Sequence, residues 1–326
     1  MRKIETEKTR TEKSLNFDRR TIKERLSSIV PYVGLLFIVL FFQIVTKGQL
    51  LKPNNLRTVF NQLFTTFLGA CGLSFVIAQG NLDLSLGSVA GFAAAVAGII
   101  GSSLGLVPTI LISLIIGTII GMITGLIHVK FNAPATIVTI CMQFLLRGFI
   151  AVLTLKGLFV PLAWGWMDSI TVKVIVISLF FVVFLYMFEY TKLGKHSKAI
   201  GSAQLAAAQS GVRVDKMKIF AYVISGMVAG LCGFFMMIRA GSVAPTTGTS
   251  FEMDVLLAIV LGGMPLSGGS HAKIRAAFLG SITLAFLMNG LIVWGVSDTV
   301  QQGVKGAILL VSATLSYERD NMEIIK

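Results

Sequence analysis

Side chains able to do chemistry are sparse in this sequence, and the telling ones interrupt long apolar runs. Polar groups inside such runs are costly, so each needs a reason. Asp83 sits in Gly80-Asn81-Leu82-Asp83-Leu84-Ser85, where the glycine argues for irregular backbone between two apolar stretches. Its carboxylate could accept hydrogen bonds from a polyhydroxylated solute, with Asn81 and Ser85 beside it. Equally, an Asp directly before an apolar run is a helix N-cap, and the two roles can coexist. Arg147 is the deepest-looking charge, with Gln143 one turn earlier on the same face. It either binds a carboxylate or backbone carbonyls to fix two helices together, or it lines a solute path. Glu252 and Asp254 open a short apolar run, where they reach for water by snorkelling or face a partner. Asn289 and Lys305 are weaker candidates in later runs.

No catalytic or metal-binding pattern accompanies them. His128, His196 and His271 are far apart in sequence, and no Cys/His spacing suggests a metal site. Cys71, Cys141 and Cys232 fall inside apolar runs and read as small buried hydrophobes. No His-Glu-x-x-His or Ser/His/Asp set is present, which weighs against a membrane-embedded enzyme, and no cofactor is expected.

The elements that hold these residues are transmembrane helices. Of 326 residues, 55% are hydrophobic and 13% charged, against about 25% charged in a soluble domain, and the mean hydropathy is +0.83. The apolar runs are long enough for a hydrocarbon core of ~30 Å and lack period-2 alternation, which selects helices over a barrel. Ten runs are expected, near 29–45, 59–78, 84–105, 107–129, 133–153, 171–189, 217–239, 254–265, 276–296 and 300–317. The eighth is short and ends in Gly262-Gly263, so it does not read as one straight crossing. Gly117, Gly121 and Gly125 form a row four apart, which lets two helix backbones approach closely.

Counting Lys and Arg by side fixes direction, since basic residues accumulate in cytoplasmic segments. With the N-terminus inside, the inner segments hold 20 and the outer ones 6, with Arg147 and Lys305 inside helices. Both termini are therefore expected in the cytoplasm. The same distribution explains the net charge of +13 without nucleic acid. Residues 1–28, with 9 basic and 5 acidic residues, read as a cytoplasmic tail rather than a cleaved signal peptide. Residues 29–317 form the membrane domain and 318–326 a C-terminal tail.

One inner segment, 190–218, is far longer than the others. Within it Ala203 to Gln209 favours a short helix, punctuated by Gly201 and Gly211. It reads either as a docking element for a soluble partner or as a linker between two helix bundles.

Four ordered segments resemble the permease subunits of bacterial ribose-type ABC importers, relatives of the branched-chain amino-acid permeases. GNLDLSLGS at 80–88, APATIVTICMQFLLRG at 133–148, AIGSAQLAAAQSGVRVDKMKI at 199–219 and GTSFEMDVLLAIVLGGMPLSGG at 248–269 carry the resemblance. It runs from about residue 60 to 315 and implies an all-α polytopic fold of about ten transmembrane helices, type II ABC importer permease-like. It also implies a bacterial inner-membrane location, a second copy or paralogous permease, a separate ATPase subunit, an extracytoplasmic solute-binding protein and a sugar as cargo. Gly201, Gln204, Ala206, Ala207, Ser210 and Gly211 then become the ATPase-coupling residues. Asn81, Asp83, Ser85, Gln143, Arg147 and Asn289 become translocation-path candidates, and Glu252 and Asp254 face the binding protein. The chain departs from the family at Gln204, where a Glu is usual, so no salt bridge can form from that position. Lys273 and Arg275 also stand where small or apolar residues are usual.

Leu266-Ser267-Gly268-Gly269-Ser270 looks like an ABC ATPase signature, but that signature needs a Gly-rich phosphate loop in the same domain. Gly194-Lys195 is followed by His196, so ATP hydrolysis belongs to another chain. The expected mechanism is alternating access driven through 190–218. Nucleosides, a signalling furanose and branched-chain amino acids remain open as cargo. A stand-alone secondary transporter is the rival outside this family, and it would favour ionisable groups at the midplane.

Overall fold

The computed structural model describes residues 29–155 and 157–316. The tails expected at 1–28 and 318–326 lie outside the described residues. A helix is found over each of the ten apolar segments. They are α1 (Ile29–Val45), α2 (Pro53–Ala78), α3 (Leu86–Gly101), α4 (Leu106–Lys130), α5 (Ala135–Leu153), α6 (Ile170–Glu189), α9 (Val214–Ala240), α10 (Phe251–Leu261), α11 (Ile274–Val293) and α12 (Asp298–Ser316). Two further helices, α7 (Lys192–Ser202) and α8 (Gln204–Gln209), occupy the long polar loop. The chain is an all-α polytopic membrane protein: α2, α4, α5, α6, α9 and α11 are each long and apolar enough to cross a membrane. Among the described residues the only strands are β1 (Leu158–Phe159) and β2 (Ser242–Val243), an antiparallel pair at the end of the bundle opposite α7 and α8.

Helix α2 is the axis of the bundle. It starts with Pro53 in its first turn, where the missing N–H costs nothing. From Phe67 to Ala78 it is buried on every side, against α9, α10, α11, α6 and α7. Lipid tails are as apolar as the side chains, so packing and hydrogen bonds rather than water exclusion hold such a helix. Aromatic edges supply part of that packing: Phe64 meets Phe235 at 4.7 Å, Phe75 meets Phe188 at 5.1 Å and Phe67 meets Phe278 at 5.4 Å between ring centres.

The glycine row of α4 lies on α9. A Cβ at Gly117 would strike the carbonyl of Gly226, one at Gly226 would strike the carbonyl of Gly117, and Gly121 sits on the carbonyl of Tyr222. Ser113 Oγ donates to the Gly230 carbonyl at 2.6 Å across the same seam. The row is thus a backbone-to-backbone contact, as its spacing suggests.

Three local expectations change. The sequence does not mark helix α7, because KLGKHSKAIGS is polar and carries two glycines. Gly201 does not punctuate the loop; it lies within α7, and its missing Cβ serves a contact described below. Gly211 does end α8, with φ +84° in the left-handed region. Cys141, expected to be buried, is exposed on α5, while Cys71 and Cys232 are buried.

Candidate functional site

Two breaks in the helices meet at one point. Helix α2 stops at Ala78, and Gly80 turns the chain with φ +74° into a non-helical stretch that runs to Ser85. Asp83 Oδ1 accepts from the Ser85 N–H at 2.9 Å and from Ser85 Oγ at 2.6 Å, closing an Asx turn ahead of α3. Its Oδ2 accepts from Ser225 Oγ of α9 at 2.9 Å, so one buried carboxyl group ties the break to a neighbouring helix. Asp83 does not bond the free N–H groups within α3, as an N-cap would; it organises the residue in front of them. Asp83 and Ser85 are both buried.

The second break follows α10, where Gly263, Gly268 and Gly269 all have positive φ. Here the chain loops back and lies on the first break. The Gly269 N–H donates to the Ala78 carbonyl at 3.0 Å, a Cβ at Gly80 would lie 3.1 Å from the Ser267 carbonyl, and Gly268 leaves no room for one against the carbonyls of Ile77 and Ala78. The two breaks are therefore packed together.

Helix α7 completes the junction. Gly201 is wedged so that a Cβ would strike the Ala78 carbonyl and lie 2.6 Å from the Gly269 nitrogen. The Ser270 N–H donates to Ser202 Oγ at 2.9 Å. The buried Gln79 donates to Ser197 Oγ at 3.1 Å and to the Met217 carbonyl at 3.0 Å. The long polar loop is thus bonded to both breaks, and the first break is bonded in turn to the start of α9.

A second polar cluster joins α5 to the turn before α10. Gln143 Nε2 donates to Glu252 Oε1 at 2.9 Å, and Arg147 Nη1 donates to the Thr247 carbonyl at 2.7 Å. The turn takes left-handed backbone at Gly248 and Ser250. It packs on the start of α3, where a Cβ at Gly87 would strike Glu252 Oε2 and the Gly248 carbonyl. Glu252 is 4% exposed, so its carboxylate neither snorkels to water nor presents itself at the surface. Asp254, one turn-face away, instead pairs with Lys305 of α12 at 2.5 Å. That pair lies in a cavity of about 480 Å³, lined also by Gln62, Thr65, Arg239 and Gln301, at the end away from α7. Asn289, fully buried, accepts from Asn55 Nδ2 at 2.6 Å and pins α11 to the start of α2. At the α7 end a smaller cavity of about 250 Å³ is lined by Asn81, His128 and Gln204 among others. Among the described residues, no group of three or more His, Cys, Asp or Glu side chains could hold a metal.

Sequence reasoning missed Ser225, Gln79, Ser197 and Thr247, which supply the bonds that fix Asp83, α7 and Arg147. It also missed the buried Lys173, which pairs with Asp168 at 2.5 Å and donates to Asn61 Oδ1 at 2.6 Å.

Broken helices at membrane depth are tolerated only inside protein or beside a cavity, which is a habit of transport proteins. A family model described as the branched-chain amino acid transport system / permease component matches residues 55–313. The chain belongs to that family. As a permease component it is a transport subunit, a multi-pass membrane protein and not an enzyme. Among its relatives, the ribose import permease protein of Bacillus subtilis (strain 168) is 34% identical over 97% of this chain and 99% of its own. The ribose import permease protein of Escherichia coli (strain K12) is 33% identical over 82% of this chain and 86% of its own. The L-arabinose ABC transporter permease protein of Azospirillum brasilense is 29% identical over 89% and 88%. No solved structure matches the chain.

In the permease, the Asp254–Lys305 pair makes a measurable prediction. Removing one partner strands the other in a half-buried cavity, whereas removing both leaves no lone charge. Lys305→Met is expected to lower the thermal midpoint in detergent more than Lys305→Met combined with Asp254→Asn. The coupling energy should be about 1 kcal/mol. A double-variant loss equal to the sum of the Lys305→Met and Asp254→Asn single losses would show that the two side chains do not interact.

Proposed function

We propose that this permease forms the translocation path of an ATP-driven importer for a monosaccharide, delivered by an extracytoplasmic solute-binding protein. The reading carries a second permease copy or a paralogue, a separate ATPase chain and a bacterial inner membrane. The chain then crosses the membrane about ten times, with both termini in the cytoplasm, as the excess of inner Lys and Arg supports. A sugar is favoured over amino acids by the names of the ribose and arabinose relatives.

The observation that carries the coupling part is the bonding of α7 to both helix breaks. A force applied by an ATPase at α7 and α8 reaches Ala78, Gly80 and Gly269 directly, without passing through flexible chain. Of the coupling residues, Gly201 and Ala207 face the permease, Ala206, Ser210 and Gly211 face out, and Gln204 is exposed at the rim of the smaller cavity. Leu205 is 81% exposed on the same short helix, an apolar side chain held out into the loop. Motion at the breaks opens the path alternately to either face. The cavities at the two ends of α2 serve as its mouths, and the buried stretch between Phe67 and Ala78 is the closed section. Of the path candidates, Asn81 lines one of these openings, while Gln143 and Arg147 sit on Glu252 and the Thr247 carbonyl. Asp83, Ser85 and Asn289 hold the walls, and Asp254 faces the mouth on the binding-protein side.

Co-purification of the permease with its coexpressed ATPase in mild detergent, read as complex mass and ATP hydrolysis, tests this. A complex of two permeases with ATPase domains is expected. Leu205→Asp should weaken ATPase binding about tenfold, the equivalent of roughly 1.4 kcal/mol, with the permease still inserted. A permease that moves solute in liposomes without ATP would transfer the function to the secondary-transporter class.

A further inference from the structure

The cavity at the α7 end carries more than an opening. His128 is 8% exposed, and its Nδ1 lies 2.7 Å from the Ala133 carbonyl. A carbonyl only accepts, so Nδ1 holds the proton and Nε2 is left as an acceptor. That Nε2 is buried without a partner, and so is Nδ2 of Asn81, a donor from the first break. Both residues line the cavity of about 250 Å³ together with Gln204 of α8 and Asp215 and Lys218 of the first turns of α9. Buried polar groups are nearly always paired, so two orphans on residues that line one cavity point to something that pairs them once the wall opens towards it. The wall offers acceptors at His128 and Asp215 and donors at Asn81 and Lys218, with the Gln204 amide able to do both. Its formal charges, one Asp and one Lys, cancel. A neutral molecule with several hydroxyls, each donating and accepting, fits that mixture; a free anion or cation would leave half the wall unmatched. The volume lies just under the ~300–1,000 Å³ of drug-sized sites, the scale of one monosaccharide.

We infer that this cavity is a cytoplasmic-side sugar site, in which a pentose draws the wall open, bonds His128 Nε2 and Asn81 Nδ2, and bridges α8 to the first helix break. It rests on the importer reading given above, and deepens it by placing the departing solute against the coupling helix. Gln204, where the resemblance would place a Glu, supplies an uncharged amide to that solute. A sugar in place holds Asn81 and Gln204 in one arrangement, so accumulated sugar opposes the next movement of α8.

The test uses the assembled importer in cells, with uptake of D-ribose, L-arabinose and D-xylose measured first. Val129, which lines the cavity, is replaced by Cys in a Cys141→Ser background, and inside-out vesicles are labelled with an impermeant maleimide. Protection scales as 1 + [L]/Kd, so the imported pentose at roughly ten times Kd should slow labelling about tenfold. An equal concentration of glycine betaine should do nothing. Asn81→Ala and His128→Phe should each remove the protection. Labelling unaffected by an imported pentose, or protection that survives both variants, overturns the site and leaves the importer reading standing. Failure to import any of the three pentoses overturns the pentose assignment. If the chain also fails to bind an ATPase, the importer reading falls with it.

Discussion

Replacing Gly201 by valine is expected to reduce ATP-dependent uptake in proteoliposomes at least about tenfold, while the permease still inserts and still binds its ATPase. The site has no slack. The Cβ position is bounded by the Ala78 carbonyl on one side and the Gly269 nitrogen on the other, and neither belongs to a side chain that can swing away. Overpacking of this kind costs about 1–3 kcal/mol, relieved only when α7 lifts from the junction. Lifting it breaks the Ser202–Ser270 and Gln79–Ser197 bonds, which join the loop to the two helix breaks. The outward face of α8 is untouched, so ATPase binding should persist and hydrolysis should continue without transport. Gly201→Ala should show the same defect more mildly. Normal uptake in the valine variant would mean that the junction plays no part in transmission. Loss of the ATPase from the complex would move Gly201 to the docking surface.

The second large effect is on folding. Asp83→Ala removes the acceptor for three donors, the Ser85 N–H, Ser85 Oγ and Ser225 Oγ, all in a buried site. Each orphaned donor costs about 1–3 kcal/mol in a dry interior. Interhelical bonds in membranes average only about 0.6 kcal/mol, because the unfolded chain also finds partners. A net loss of about 2–4 kcal/mol is therefore expected, dominated by the Asx turn. Asp83→Asn keeps one oxygen for Ser85 and should lose about 1 kcal/mol, close to Ser225→Ala. Unfolding by SDS titration in mixed micelles measures all three. An Asp83→Ala midpoint equal to wild type would mean that the break is held by packing alone, and its carboxyl group would then be free for a solute.

What the sequence made legible follows from where side chains alone decide. The apolar segments were readable because lipid selects them residue by residue. The two breaks were readable because Gly80, Gly262 and Gly263 stand where a continuous helix would not place them. The Gly117-Gly121-Gly125 row announced a close contact, though not its partner α9. For Arg147 the sequence leaves open a fastening between helices or a path-lining role; its acceptor is the Thr247 carbonyl, and backbone oxygens leave no mark in a sequence. Ser225 was invisible because small hydroxyl residues are ordinary inside membrane helices, where they bond the preceding turn. Helix α7 was missed for a physical reason too. Its glycines lower its propensity, and one of them exists for the contact with Ala78 rather than for a turn. Glu252 was placed at the right end of α10 but faces inward, because Gln143 lies on a helix adjacent in space and not in sequence.

The seam between α4 and α9 has a mechanical consequence. No side chains lie between the two backbones at Gly117, Gly121, Gly226 and Gly230, so there is nothing compressible to absorb a displacement. The pair behaves as a single strut. At 27 residues, α9 is about 40 Å long. It carries Lys218 beside one cavity and Arg239 beside the other. An axial or tilting movement imposed at Val214 is delivered to Arg239 almost undiminished. A ligand at one end that favours one position of this strut would bias affinity at the other, and thermodynamic reciprocity then requires the bias to be equal in both directions. Lengthening α9 by one residue between Gly230 and Arg239 would rotate its far end by about 100° while leaving the near end in place. The two ends of the transport cycle would then fall out of step.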